Sequence, residues 1–187
     1  MKYFTYFGLI LVSLTPIAIS FLKSYQKSRI LTFLDPSRDP LGAGYQITQS
    51  KIAIGSGGFF GKGFLNGSQS YLDYLPEKHT DFIFTLFSEE FGFFGSSIVL
   101  ALYVVMTMRI VSIGNMVRDT FSKLYCYTFA TAFFVYVAVN MGMVLGLIPI
   151  VGAPLPILSY GGSSMLAMML GLGIAMSCKI HKDQSIN

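Results

Sequence analysis

The chain has 187 residues, of which 53% are hydrophobic and only 12% charged, with a formal net charge of +4. That composition lies beyond an ordinary soluble domain, and the small basic excess gives no reason to invoke nucleic acid as a partner. The length allows one domain, or part of a larger one. Two cysteines, Cys126 and Cys178, lie in or at the ends of apolar runs without metal-ligand spacing and read as small buried hydrophobes.

Four apolar runs follow one another along the chain: residues 4–22, 82–108, 125–148 and 155–178. Each approaches the roughly 20 residues that a bilayer-crossing helix needs. The expected fold is therefore all-α, a polytopic integral membrane protein with about four transmembrane helices. The first run follows Met1 and Lys2 and is followed by Lys23 and Lys27. It exceeds the usual core of a cleaved leader, so it reads as a span.

A long polar segment, 23–81, separates the first two runs and is expected to be one large extracytoplasmic loop. Asp35-Pro36, Asp39-Pro40 and the glycine cluster GSGGFFGKG of residues 55–63 are turn signals. Between them GYQITQSKIAI suits a short interfacial helix stopped by Gly55. So long a connection between spans suggests function. Four spans put both termini on one side with Arg109, Arg118, Lys123, Lys179 and Lys182, as the positive-inside tendency prefers.

The second span opens with the stretch LPEKHTDFIFTLFSEEFG, which crowds Glu77, Lys78, His79, Asp81, Glu89 and Glu90 into a chain poor in such groups. Counting from Asp81, residues Thr85, Ser88, Glu89 and Gly92 follow at +4, +7, +8 and +11, one face of a helix. Glu77 extends that stripe by one turn if the helix begins at Pro76. A charge at mid-bilayer costs about 2.5–3.5 kcal/mol even on the mildest scale, so the stripe is expected to face other helices or a wet cavity. The plainer reading makes Glu77 and Asp81 favourable first-turn acids and pairs Glu89 or Glu90 with basic residues of the bundle.

The chemistry the stretch admits is narrow. Two carboxylates on one helix face rarely straddle a sugar bond as a glycoside hydrolase requires. His79 with Asp81 supplies too few ligands to name a metal. GSGGFFGKG fails the phosphate-loop pattern, because Ser56 stands five positions before Gly61 and Gly63 follows Lys62. A single aspartate at a membrane mouth, acting as general base on an acceptor delivered by a lipid, fits best. In the last run, PLPILSYGGSS reads as close helix packing through small residues, with a broken helix lining a cavity as the alternative. Asn140, with Gly142 and Gly146, reads as interhelical glue.

Three stretches carry a resemblance: DPLGAGYQITQSKIAIGSGGFFGKGFLNGSQS, then YLPEKHTDFIFTLFSEEFG, then VNMGMVLGLIPIVGAPLPILSYGGSS. In order and over nearly the whole chain they resemble the SEDS family, the group of RodA, FtsW and SpoVE, and DPLGAGYQ with the lysine of QSKIAIGSGG is closest to RodA. The resemblance implies a peptidoglycan glycosyltransferase of the bacterial cytoplasmic (inner) membrane, polymerising lipid II during cell wall elongation. It also implies a class B penicillin-binding protein and other elongation-complex proteins as partners, beside membrane lipids. The family's essential aspartate falls in the motif His79-Thr80-Asp81-Phe82, making Asp81 the expected catalytic base. Glu77, Lys78, His79, Thr85, Lys62 and Arg38 are the expected substrate-binding residues; Arg38, Lys62 and Lys78 are the cations for a departing pyrophosphate. A divalent cation, Mg or Mn, is implied without identified ligands. Family members have about ten spans and this chain matches the last four, so its stripe is expected to face lipid and the chain to be inactive alone. A lipid II flippase, or a scaffold binding the penicillin-binding protein, are the alternatives.

Overall fold

The computed structural model describes residues 23–40, 42–68 and 79–182. Its contacts divide the chain into two units, residues 1–45 and 46–187. Among the described residues the secondary structure is entirely helical: α1 (Ser24–Leu34), a 3-10 turn (Pro36–Arg38), α2 (Ala43–Ser56), α3 (Ile83–Met116), α4 (Thr120–Val144) and α5 (Gly162–Ile180). The expected first span and most of the approach to Asp81, including Glu77 and Lys78, lie outside the described residues.

In the first unit, Asp35 ends α1 and caps the 3-10 turn. Its carboxylate accepts from the Ser37 amide (3.3 Å) and hydroxyl, and pairs with Arg38 at 3.3 Å. Asp39 then accepts from the Ala43 amide at 2.9 Å where α2 begins. The expected interfacial helix is thus present, but it runs through Gly55 to Ser56 instead of stopping at the glycine.

The second unit holds three helices long and apolar enough to cross a membrane: α3, α4 and α5. α4 packs against both of the others. Gly171 of α5 makes part of that contact possible, since a Cβ there would lie 2.2 Å from Phe129 Cε2, and Tyr125 donates to the Gly171 carbonyl at 3.1 Å. Small residues serve this purpose between membrane helices, where backbones must approach closely without a hydrophobic driving force. Asp119 caps α4, accepting from the Ser122 amide and hydroxyl, both at 2.9 Å.

α3 is two helices joined across a break. Gly92 has φ 66 and ψ −163, well outside helical geometry. The break interrupts the bonds that would run from the Phe93 and Phe94 amides to the Glu89 and Glu90 carbonyls. The glycine loop repairs it. Phe93 N donates to Gly58 O (2.9 Å) and Phe94 N to Phe59 O (3.1 Å), while Lys62 N donates to Glu89 O (3.1 Å) and Gly63 N to Glu90 O (3.0 Å). All four freed backbone groups are thereby satisfied by residues 58–63. Contact this close requires glycine: a Cβ on Gly57 would sit 2.2 Å from Ser88 O, one on Gly61 2.0 Å from Glu90 O, and one on Gly92 2.3 Å from Gly61 N. Residues 93–116 alone extend about 36 Å at ~1.5 Å per residue, enough to cross a hydrocarbon core of about 30 Å. The segment before the break is thus free to serve the membrane mouth.

The last span departs from expectation. Residues 147–161 are not helical, and α5 begins only at Gly162 with Gly161 as its N-cap. The two glycines therefore stand at the start of the helix, and the proline-rich stretch before them is irregular backbone. Nor do Gly142 and Gly146 form a helix-packing pair. α4 ends at Val144, Gly146 turns the chain away at φ 65, and Gly142 lies under Ile148.

Gly61→Ala, at φ 82 and against a carbonyl, should destabilise the second unit by about 1–3 kcal/mol through overpacking and backbone strain. Gly55→Ala, where nothing lies within 4 Å, should not; thermal unfolding in detergent compares the two. The Ser122 amide and hydroxyl hold the Asp119 carboxyl below its ordinary range. Its stabilisation is therefore complete above the unfolded value of about 3.9 and lost as pH falls through the lower folded value. The melting-temperature gap between Asp119→Ala and the unsubstituted chain should accordingly close on acidification.

Candidate active site

The His79-Thr80-Asp81 motif is held by its backbone. Tyr160 N donates to His79 O (2.9 Å), Ser159 Oγ to Thr80 O (2.6 Å) and Asn140 Nδ2 to Asp81 O (2.8 Å). Three successive carbonyls, just ahead of α3, thus each receive a bond from residues far along the chain. Asn140 spends its second amide hydrogen on Ala153 O at 2.7 Å, tying the irregular stretch to the same point. The asparagine is fully buried. Its glue joins the His79–Asp81 motif to a loop, not helix to helix as expected.

The Asp81 side chain projects from this restrained backbone. It is half-buried, and Oδ2 lies beside Gly152, 3.4 Å from where a Cβ would stand. Gly152 has φ 73, and its lack of a side chain leaves room for the carboxylate. Behind Gly152 a cavity of about 260 Å³ is bounded by Tyr136, Pro154, Ser164 and Met168. Adjoining it across Ile157, Ser159 and Met165, an open groove of about 410 Å³ is lined also by His79, Ile83 and Tyr160.

The irregular stretch is strained where it borders both spaces. Ile157 has φ 71, a genuine outlier for a β-branched residue that costs about 1–3 kcal/mol. Its neighbours hold it there: Tyr103 Oη donates to Pro156 O (2.5 Å), Ser159 Oγ accepts from Leu155 N (2.6 Å), and Leu158 N donates to Pro156 O (2.9 Å).

The polar stripe follows the expected face but meets protein, not lipid. Thr85, Ser88, Glu89 and Gly92 are all buried. Thr85 is fully enclosed and bonded to Ser50 Oγ at 2.8 Å; because Ser50 spends its own hydrogen on Val144 O (2.7 Å), Thr85 is the donor. This expected substrate-binding residue therefore has no surface to offer a substrate and instead joins α2, α3 and the end of α4. Lys62 is likewise engaged. Its ammonium lies 2.7 Å from Glu89 Oε1 and 3.0 Å from Ser68 Oγ, and Ser68 also donates to Glu89 at 3.1 Å. The plainer sequence reading of Glu89 as half of an ion pair is the observed one. Arg38 lies in the first unit with Asp35.

Of the expected residues the second unit therefore brings together His79 and Asp81, with Thr85 and Lys62 behind them as packing and pairing groups. Sequence reasoning missed Ser159, Tyr160 and Gly152, although SYGG had been singled out. It also missed Lys51, whose side chain lies across Gly146 at the end of α4. Among the described residues no three His, Cys, Asp or Glu side chains converge as a metal cage.

Among the described residues, three helices long and apolar enough to cross a membrane stand with a glycine loop docked on a broken helix and a pinned aspartate motif, the make-up of an integral membrane protein. A family model described as "Cell cycle protein", covering FtsW, RodA and SpoVE, matches residues 1–184. The chain belongs to that SEDS family. It is 52% identical over 161 residues to "Peptidoglycan glycosyltransferase MrdB" of Escherichia coli K12, covering 86% of this chain and 44% of that protein. To "Peptidoglycan glycosyltransferase RodA" of Treponema pallidum it is 47% identical over 161 residues, covering 86% and 37%. A solved structure described as "Structural coordination of polymerization and crosslinking by a peptidoglycan synthase complex" matches with a TM-score of 0.72 at 33% identity, over 97% of this chain and 48% of the other. A mutant of the Thermus thermophilus rod shape determining protein RodA matches at 0.56 and 32% identity, over 72% and 40%. The chain thus spans less than half the length of these relatives.

Lys62→Ala would leave the buried Glu89 carboxylate without its cation. A loss of about 3 kcal/mol is expected, the lower end for such pairs because Lys62 keeps some exposure. Lys62→Met combined with Glu89→Gln should recover most of it, as a double-mutant cycle by denaturant unfolding will read.

Proposed function

We propose that the chain forms the catalytic half of a RodA-type peptidoglycan glycosyltransferase in the bacterial cytoplasmic membrane, crossing it several times and polymerising lipid II during wall elongation. The observation that carries this reading is the fixing of all three His79–Asp81 carbonyls by Tyr160, Ser159 and Asn140. A base must be presented at a defined point, and here the backbone is restrained while the carboxylate stands beside a glycine.

In this reading Asp81 takes the proton from the acceptor sugar hydroxyl as its oxygen bonds to the donor's anomeric carbon. The bond to the polyprenyl pyrophosphate breaks, and the pyrophosphate leaves with the electron pair. The donor is already activated, so no acid is needed, and inversion at the anomeric carbon is expected. His79 and the neighbouring Lys78 and Glu77 are the proposed contacts to the head group. Lys62 and Thr85 act by holding the loop and α3, and Arg38 is retained only as a loop cation. A Mg or Mn ion would neutralise the departing pyrophosphate if held by its oxygens. A class B penicillin-binding protein and other elongation proteins are the proposed partners. In support, one matching structure is itself described as a peptidoglycan synthase complex.

With the N-terminal half of a close relative supplied in the same membrane, the chain should polymerise labelled lipid II. Asp81→Asn should lower the rate by about 10²–10⁴-fold, the usual worth of a general base. Polymerisation at the unsubstituted rate in that variant would remove the assignment.

A further inference from the structure

We infer that Tyr160 is a saccharide-stacking platform, and that the groove between it and His79 receives a sugar ring of the lipid-linked substrate. The inference rests on the glycosyl-transfer reading above and names the side chains that would hold the sugar. Tyr160 is 81% exposed, yet it is not loosely placed. Its amide is bonded to His79 O, and the preceding Ser159 is buried with its hydroxyl joined to Thr80 O and Leu155 N. An exposed ring on so restrained a backbone is a rigid surface awaiting a partner. The strained turn at Ile157 helps to set its direction.

The groove beneath it, about 410 Å³, combines an apolar floor from Ile83, Ile157 and Met165 with the imidazole of His79 and the phenol of Tyr160. That mixture suits a sugar better than an acyl chain. The C–H face of a pyranose lies well on the electron-rich face of an aromatic ring, and its hydroxyls meet the imidazole and phenol at the rim. A polyprenyl tail would have no use for either polar group. Position argues the same way. The Tyr160 amide is bonded to the carbonyl of His79, two residues before Asp81, so the groove adjoins the aspartate motif.

The chain contains no tryptophan, which makes the test direct. Tyr160→Trp in the 187-residue chain gives one fluorescent reporter in the groove. Titration with a disaccharide-pentapeptide pyrophosphate on a short prenyl chain should change its emission saturably. Binding should be about tenfold tighter than for the same prenyl phosphate without sugar. In the unsubstituted chain, the Tyr160 ring resonances, assigned by their loss in Tyr160→Phe, should move with the glycosylated probe. Equal responses to both probes would mean that the ring contacts lipid and would overturn the inference, as would no response in either measurement. Both readouts are independent of turnover, so failed polymerisation with intact sugar binding would count against the reaction and not against the platform. In the assembled enzyme, Tyr160→Leu should raise KM for lipid II about tenfold with a smaller fall in kcat; an unchanged KM would also overturn it.

Discussion

The structure depends on the repair of a broken helix. At Gly92 the bonds from residues 93 and 94 to residues 89 and 90 are given up, and the amides and carbonyls of residues 58–63 replace them one for one. In water such a break would be filled by solvent. In a membrane protein an unsatisfied backbone group costs several kcal/mol, and irregular backbone survives only where protein or a wet cavity covers it. The glycine loop is that cover. It can approach because Gly57, Gly61 and Gly92 present no side chain at the seam, and rings on either side, Phe59 with Phe93 and Phe64 with Phe91, close over it.

This repair explains a buried charge that would otherwise be costly. Glu89 lies one turn before the break and is fully enclosed. The loop that supplies the missing backbone bonds also supplies Lys62 and Ser68 to its carboxylate. Backbone and side-chain terms therefore favour the same docked loop, and neither is independent of the other. A buried pair of this kind is weak support for stability in itself, since desolvation opposes the attraction. Its better-attested use is to fix register, and the register of the loop on α3 is what the segment ahead of Gly92 needs to hold Asp81 at the mouth.

Much of this was legible beforehand because it is periodic. Apolar runs announce spans, and the +4, +7, +8 and +11 spacing from Asp81 announces a buried face, which Thr85, Ser88 and Glu89 do form. What covers that face was not legible. The partners lie far away in the chain: Ser50, Lys62 and Ser68 bond through side chains, and the glycine loop bonds through backbone atoms, which carry no sequence signal beyond the glycines. Gly92 read as the last member of one continuous helix face, since nothing local separates a helical glycine from one at φ 66. The late start of α5 was hidden for a related reason. LPILSYGGSS carries no charge and runs straight into an apolar helix, and hydropathy alone does not separate helix from irregular backbone that finds its bonds elsewhere.

Those two irregular segments serve one end. The loop of residues 57–63 fixes α3 from below the aspartate, through bonds to residues 89–94. The stretch of residues 153–160 fixes the motif from above, through bonds to His79, Thr80 and, by way of Asn140, Asp81. Each restrains the backbone that carries the Asp81 carboxylate. A regular helical bundle could not do this, because its backbone groups are consumed within each helix and none remains to grip a neighbour. Helix breaks in the chain are therefore what free backbone groups to grip the His79–Asp81 motif, and the positive-φ residues Gly92, Gly152 and Ile157 are where that geometry is set.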